Sequence, residues 1–329
     1  MGHEVTYPAA VRRGGTWTSF VDLVAWLIVA VVGLATLTQA VGWTGTTALA
    51  IVQSLTPYLA VALVPVVLIA LWRRQLLIVT VASAIGFGIG VLAAPLAVPD
   101  PLPAVAAHST GLRVASLNLW WKNPEIAAVA DLLTTVDVDV IVFLEYTREH
   151  RSALEAASFA SDYPHRSQRT GRGPTSMSVW SRFPIDERNE LADVNDSIDL
   201  DVEGPDGDVR IVAMHLPTPI KNFDSWRDQL VALTHVGRDA NSPTLLIGDL
   251  NSTYWHPDFR RLLDAGFVDA HAAEGSGFST SWPTDWWVPP FVRLDHALTA
   301  GGLVSTEVDD LDVPGSDHRG LVVTVATVR

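Results

Sequence analysis

Glu145, Asp249 and Asp317 are carboxylates set at the ends of short apolar runs, with no cluster of basic residues beside them. Brought together, three such groups repel one another, and a cation is the natural compensation. Hard carboxylate and amide oxygens, in a chain without cysteine, favour Mg²⁺ or Mn²⁺ over zinc. Such an ion neutralises phosphate oxygens and helps generate a nucleophile from water. Asn118 and Asn251 add neutral donors and acceptors that can orient a phosphate or an attacking water. His318 and His215 can donate to phosphoryl oxygens, and an adjacent carboxylate would keep a histidine oriented.

The elements that must carry these groups alternate between strand and helix. Leu112–Leu117 alternates as a half-buried strand and ends in Asn118. Asn123-Pro124 starts a helix with Ile126, Val129 and Leu133 on one face. Val138–Leu144 reads as a buried strand delivering Glu145, and Val209–Met214 delivers His215. Asp224 or Ser225 caps a helix whose Trp226, Leu230 and Leu233 share a face. Thr244–Ile247 delivers Gly248-Asp249-Leu250-Asn251, Phe291–Leu294 delivers Asp295, and a last strand, Leu321–Val328, follows Ser316-Asp317-His318. Strands that hold polar groups at one rim of a sheet make a rigid site.

In order, Ser116-Leu117-Asn118, Phe143-Leu144-Glu145, His215-Leu216, Gly248-Asp249-Leu250-Asn251, Arg293-Leu294-Asp295-His296 and Ser316-Asp317-His318 resemble the motifs of the endonuclease/exonuclease/phosphatase superfamily. That group includes DNase I-like nucleases, abasic-site endonucleases, sphingomyelinases and inositol-phosphate 5-phosphatases. The resemblance covers Leu112 to Val328. It implies an α/β fold of four layers, two mixed β-sheets face to face with helices outside. It implies Glu145 as principal metal ligand with Asn118 beside it, and Asp317 completing the metal or phosphate shell. Asp249 would align or deprotonate the attacking water and Asn251 would hold the water or phosphate. His318 would contact the scissile phosphate with Asp295 orienting it, and His215 would stabilise developing charge.

Other residues divide between structural and functional readings. Arg166, Arg169 and Arg172 lie in a Gly/Ser/Thr-rich stretch, which is either an exposed loop or a phosphate-gripping rim. Trp120 and Trp121, and Trp282, Trp286 and Trp287, flank the motifs. Core is the default for tryptophan, and a substrate groove is the alternative. His296 directly follows Asp295, so in a strand it points to the opposite face and reads as structural. His256 reads as a solvated helix start.

The preceding third of the chain is different. No charged residue occurs from Leu23 through Trp72, and after Arg73 and Arg74 none occurs from Gln75 to Pro99. About 20 apolar residues cross a bilayer, so the first stretch has room for two helices with a turn near Gly42–Gly45, and the second for one. A cleaved signal peptide would explain only the first segment. Arg12 and Arg13 before span one, with Arg73 and Arg74 after span two, place those ends in the cytoplasm. The expected order is a cytoplasmic N-terminus (1–19), a three-helix transmembrane anchor (20–98), a Pro-rich linker (99–111) that lifts the next domain off the membrane, and an extracytoplasmic catalytic domain (112–329) at the cell membrane.

The net charge is −14, and the acidic surplus lies after residue 104. Such a surface disfavours general, tight binding of nucleic acid. The sequence therefore points first to a membrane-anchored, Mg²⁺- or Mn²⁺-dependent phosphodiesterase or phosphatase acting on a lipid or cell-envelope phosphate ester. An exported nuclease acting on DNA or RNA is the alternative, and a non-catalytic membrane scaffold a third reading. The expected partners are the phosphate ester and the membrane, with no protein partner evident.

Overall fold

A computed structural model describes residues 15–104, 106, 109–169, 173–189, 191 and 193–328. The chain divides into two compact units, but not where hydropathy alone would cut it. Residues up to Thr38 join Thr56–Val91 in the first unit, while Gln39–Leu55 joins Leu92 and everything after it in the second.

The apolar helices are α1 (Gly15–Ala40), α2 (Thr47–Ser54), α3 (Thr56–Trp72) and α4 (Leu76–Ala93). The second expected span is thus two helices broken at Leu55. Among the described residues, two helices are long and apolar enough to cross a membrane, or three if the bent pair α2–α3 is one span. Within the first unit, Asp22 near the start of α1 pairs with Arg73 just past α3 at 3.0 Å, and accepts a hydrogen bond from Gln75 at 2.6 Å. Those two ends therefore lie together. The outward side chains include Leu27, Leu34, Leu68 and Phe87, each more than half exposed. A helix apolar on all sides belongs in a protein core or in lipid.

The second unit is built on two six-stranded sheets. The first has the order β11 (Leu303–Asp312), β12 (Arg319–Thr327), β1 (Leu112–Asn118), β2 (Val140–Leu144), β4 (Met177–Ser181), β3 (His165–Arg169). The second runs β5 (Ile185–Glu187), β6 (Ser197–Gly204), β7 (Gly207–His215), β8 (Thr244–Asp249), β10 (Asp295–Ala300), β9 (Val268–Asp269). Alternation explains why the central strands are apolar throughout. Val140, Val142 and Leu144 meet Ile211, Ala213 and Ile247 of the other sheet. Ile141 and Phe143 point the other way, onto Val129 and Leu133 of α5 (Ile126–Thr135) and Leu154 of α6 (Arg148–Glu155). On the far side, Val212, Leu246 and Leu298 carry Trp226 and Leu230 of α7 (Phe223–Arg238) and Phe259 of α8 (Pro257–Asp264). The result is the expected four-layer sandwich. Each fully buried large side chain contributes roughly 1.5–3 kcal/mol, so the polar rim rests on a stiff support.

Strand direction sets the rim. β1 and β2 are parallel, and so are β7 and β8, and the hydrogen bond from Asn118 at the end of β1 to Asp249 at the end of β8 brings both pairs' ends to one rim. β10 runs antiparallel to β8, with Asp295 opposite Asp249, and β12 runs antiparallel to β1. Those two strands therefore start where the others end.

Four local expectations change. Phe291–Leu294 is not the strand that delivers Asp295; Asp295 opens β10, and an antiparallel start reaches the same rim as a parallel end. Helix α5 begins at Ile126, two residues after Pro124, and α7 is capped by Asn222, whose side chain accepts from the Ser225 amide at 3.3 Å. The Pro-rich stretch is not a free spacer: Leu96 is buried, Asp100 N donates to Ala273 O, and Gly277 N donates to Leu96 O.

Candidate active site

Glu145 leaves β2 with φ +55°, a left-handed conformation costly for a residue with a Cβ. Asn251 (φ +45°) and Trp120 (φ +55°) share it. Sparse backbone conformations thus cluster where β1, β2 and β8 end. Gly248 serves the same purpose: its φ is +139°, and a Cβ there would sit 2.1 Å from the Met214 carbonyl oxygen. Only glycine lets β8 approach β7 and still present Asp249.

The two sheets are joined at the rim by Asn118 Nδ2, which donates to Asp249 Oδ2 at 3.1 Å. The Asp249 Oδ1 atom accepts from the Asn251 amide at 2.8 Å, and Asn251 Nδ2 donates to Leu216 O at 2.8 Å. His318 Nδ1 donates to Asp295 Oδ2 at 2.8 Å, leaving Nε2 3.8 Å from Asp249 Oδ2. His215 Nδ1 lies 2.8 Å from the Pro174 carbonyl, which can only accept, so the proton is on Nδ1. Its Nε2 faces Asp249 at 3.6 Å and Glu145 at 3.8 Å. All eight residues that the motifs singled out as catalytic or metal-binding belong to this rim.

Charge is concentrated here and buried. Burial pushes the Asp249 carboxyl up; His318 opposes this, Asp295 adds to it, and the net is a raised pKa. Burial alone would lower His318, but Asp295 and Asp249 outweigh it and lift the imidazole to about 10. At neutral pH His318 is therefore a cation whose Nε2–H lies beyond hydrogen-bond reach of Asp249. Asp317 is raised by burial and by the charge of Glu145, against the pull of His318.

The remaining predictions separate. Trp120 and Trp121 act here through their amides, which donate to Asn118 Oδ1 at 3.0 Å and to Glu145 Oε2 at 2.8 Å. The Trp121 ring is largely solvent-facing, with Lys122 Nζ 4.5 Å above it. Arg166 is not a phosphate clamp at the rim. Its guanidinium lies 3.8 Å over the Trp180 ring, donates to Tyr163 O and Ala160 O, and pairs with Glu155. Arg169 closes β3 at the rim end of that sheet's edge, and Arg172 lies outside the described residues. His296 faces away from the site as expected. His256 is buried rather than solvated.

Two positioning residues went unread in the sequence. Ser316 Oγ donates to Asn118 O at 2.6 Å and accepts from the His318 amide at 3.0 Å, tying the two sheet-end motifs together. Ser281 Oγ accepts from the Leu294 and Asp295 amides and fixes the entry to β10. Ser316 could have been suspected from its place beside Asp317-His318, whereas nothing in the local sequence marks Ser281.

A metal can be tested against this donor set. Glu145 lies close enough to Asp317 to raise the cost of ionising the Asp317 carboxyl, and Asn118 supplies an amide beside Asp249; hard oxygens so crowded fit a divalent cation. Ligand atoms of Asp249, Asp295 and His318 also lie within 4.8 Å of one another, but there His318 Nδ1 is already engaged by Asp295 Oδ2.

Structures already solved share this fold. An endonuclease/exonuclease/phosphatase from Beutenbergia cavernae matches at 19% identity, covering 66% of this chain and 71% of its own, with a TM-score of 0.50. A 3′ phosphatase from Neisseria bound to a product DNA hairpin matches at 17% identity, 65% and 99% coverage, and TM-score 0.53. An AP endonuclease from Archaeoglobus fulgidus matches at 17% identity, 66% and 100% coverage, and TM-score 0.52. No curated protein sequence matches the chain. Residues 115–318, the stretch that carries every rim residue from Asn118 to His318, match the Endonuclease/Exonuclease/phosphatase family, and the chain belongs to that family.

Proposed function

We propose that this chain is a membrane-anchored hydrolase of phosphate esters that depends on a divalent cation, Mg²⁺ or Mn²⁺, and that its substrate is a lipid or cell-envelope phosphate ester. The observation that carries the hydrolytic reading is the pairing of cationic His318 with Asp295, with its Nε2 held across from Asp249.

Glu145, Asn118 and Asp317 would hold the ion, which when bound neutralises phosphate oxygens and makes water more acidic. Asp249, its basicity raised by burial, takes the proton of the attacking water or aligns it. His318 cannot act as a base at neutral pH with a pKa of about 10. It donates instead to the phosphoryl oxygens as negative charge builds on them. Asn251 is fixed through the Leu216 carbonyl and its own amide, and orients water or phosphate without moving. His215 presents Nε2 to the same space.

Membrane anchoring is supported by the all-round apolar surface of α1, α3 and α4. The Asp22–Arg73 pair supports a cytoplasmic side holding the start of α1 and the end of α3. The catalytic unit then lies outside the cytoplasm. A reporter that fluoresces or reacts only in the cytoplasm, fused after Arg329, should stay silent; activity there would overturn the orientation.

The acidic second unit and the engagement of Arg166 by Trp180 and Glu155 favour a lipid or small ester over nucleic acid. The solved neighbours that act on DNA keep the nuclease as the alternative. The deciding experiment offers DNA, RNA, phospholipid and small phosphate esters to the full chain in nanodiscs with Mg²⁺. Hydrolysis of phospholipid or small ester, lost in Asp249→Ala, is expected. Preferential cleavage of nucleic acid would replace the lipid reading with the nuclease one.

A further inference from the structure

The segment Gln39–Leu55, inside the first apolar stretch, packs as part of the hydrolase unit. Its side chains and carbonyls meet two loops that leave catalytic strands. Ala50 is fully buried in the cluster formed by Leu216, Trp226, Leu250 and Phe259. The Ala50 carbonyl accepts from His256 Nε2 at 2.9 Å. His256 Nδ1 in turn accepts from the Thr253 amide at 2.9 Å and lies 3.3 Å from Ser252 Oγ, while the ring stands edge-on to Trp226. Ser252 and Thr253 directly follow Asn251, which must hold φ +45° to meet both Asp249 and Leu216 O. The second loop follows His215: Thr47 Oγ1 donates to the Pro219 carbonyl at 3.1 Å.

The segment is also fastened at its N-terminal end. Arg260 donates to Gln39 O at 3.0 Å and Arg261 to Gly42 O at 2.7 Å. Gln53 is fully buried and closes the segment on itself, donating to Trp43 O and accepting from Thr44 Oγ1. Burial holds His256 neutral, lowering it to about 4 although the Ala50 hydrogen bond pulls the other way. A single neutral tautomer therefore serves both bonds: Nε2–H to Ala50, and the Nδ1 lone pair to Thr253.

We propose that Gln39–Leu55 is a positioning element of the active site: α2, held on His256 through Ala50, fixes the Asn251–His256 loop, and turnover depends on that docking. His256 is thus a positioning residue, acting through the loop and touching no substrate. The catalytic consequence rests on the phosphohydrolase reading; the docking itself does not.

The chain has no cysteine, so Ala50→Cys in the full chain gives one reporter of docking. Maleimide labelling of that single thiol and Mg²⁺-dependent hydrolysis of bis(4-nitrophenyl) phosphate are measured together in nanodiscs. On that background, His256→Phe keeps a ring against Trp226 but removes both hydrogen bonds. Labelling should rise and kcat fall, each about tenfold or more, with KM within about twofold. His256→Gln, which can still donate and accept, should restore both. Fast labelling with unchanged kcat would overturn the proposal, and so would lost kcat with the thiol still protected or neither quantity moving. If His256→Phe does not fold, Thr47→Val is read by the same pairing of outcomes. A parent chain that hydrolyses no ester would count against the phosphohydrolase reading, while labelling would still decide whether His256 holds the segment.

Discussion

Two histidine–aspartate pairs stand on opposite faces of β10, and their geometry is nearly the same. Asp295 Oδ2 accepts from His318 at 2.8 Å, and Asp269 Oδ2 accepts from His296 at 2.7 Å. All four residues are buried. What differs is the outer half of each pair. His296 Nε2 donates to Ser252 O at 2.9 Å, and Asp269 Oδ1 accepts from the Ala272 amide at 3.0 Å. Nothing is left over, and although burial alone would raise Asp269, His296 holds it well below the usual carboxylate range. In the other pair Asp295 Oδ1 has no hydrogen-bond partner among the described residues, and His318 Nε2 has only Asp249 at 3.8 Å. A closed pair is a brace. An open one, at a rim of strained backbone, is chemistry waiting for a substrate.

The comparison breaks most sharply under deletion. His318→Ala or Asp249→Ala should lower kcat/KM by about 10³-fold or more; Asp249→Ala should hold or raise the melting temperature because it removes a carboxylate buried beside Asp295, whereas His318→Ala leaves Asp295 buried without its partner and should lower it. His296→Ala should cost mainly stability, about 3 kcal/mol, with kcat per folded molecule falling far less than at His318. Chemical denaturation beside steady-state kinetics checks both. Next in size, Asp295→Asn tests orientation alone. The amide cannot hold an imidazolium as a carboxylate does, so kcat should fall by about 10²-fold with KM unchanged.

A third region sharpens the contrast through pH. His256 is buried neutral and takes a proton only near pH 4, because of burial aided by Arg260 and His296 and opposed by the Ala50 carbonyl. The unfolded chain protonates a histidine near pH 6.5. Between those values the unfolded state holds the extra proton, so stability falls as pH falls, by roughly 3 kcal/mol over the window. His256→Gln should flatten that slope in denaturation curves taken from pH 7 to 4. The smallest effect is expected at Arg166→Ala: stability lower by about 1 kcal/mol from lost stacking on Trp180, and kcat within about twofold of the parent.

The rim was legible because its chemistry is local. Asp249 and Glu145 each close a short apolar run buried on both faces, whose length and bounding residues fit a fully buried strand. Asp295 was read at the right rim for the wrong reason. Phe291–Leu294 has strand composition, yet Ser281 holds the chain there as an entry to β10, across a separation no local pattern records. His256 was misread for the same cause: its partner is Ala50, far off in the sequence, inside a stretch that hydropathy assigns wholly to the anchor. Arg166 looked free because its sequence neighbours are small and polar, while Trp180 and Glu155 reach it only through the β3–β4 pairing and the fold around it. Left-handed Glu145 carries no sequence mark, whereas Asn251 is of a type that tolerates that conformation.

The most direct test of the site is hydrolysis of bis(4-nitrophenyl) phosphate by the full chain in nanodiscs, stripped with EDTA and then titrated with Mg²⁺, beside His318→Ala treated identically. Activity should vanish on chelation, return with Mg²⁺, and stay about 10³-fold lower in His318→Ala at every concentration. Parent activity indifferent to EDTA, or a His318→Ala chain as active as the parent, would contradict the assignment of this rim as a metal-dependent phosphohydrolase site.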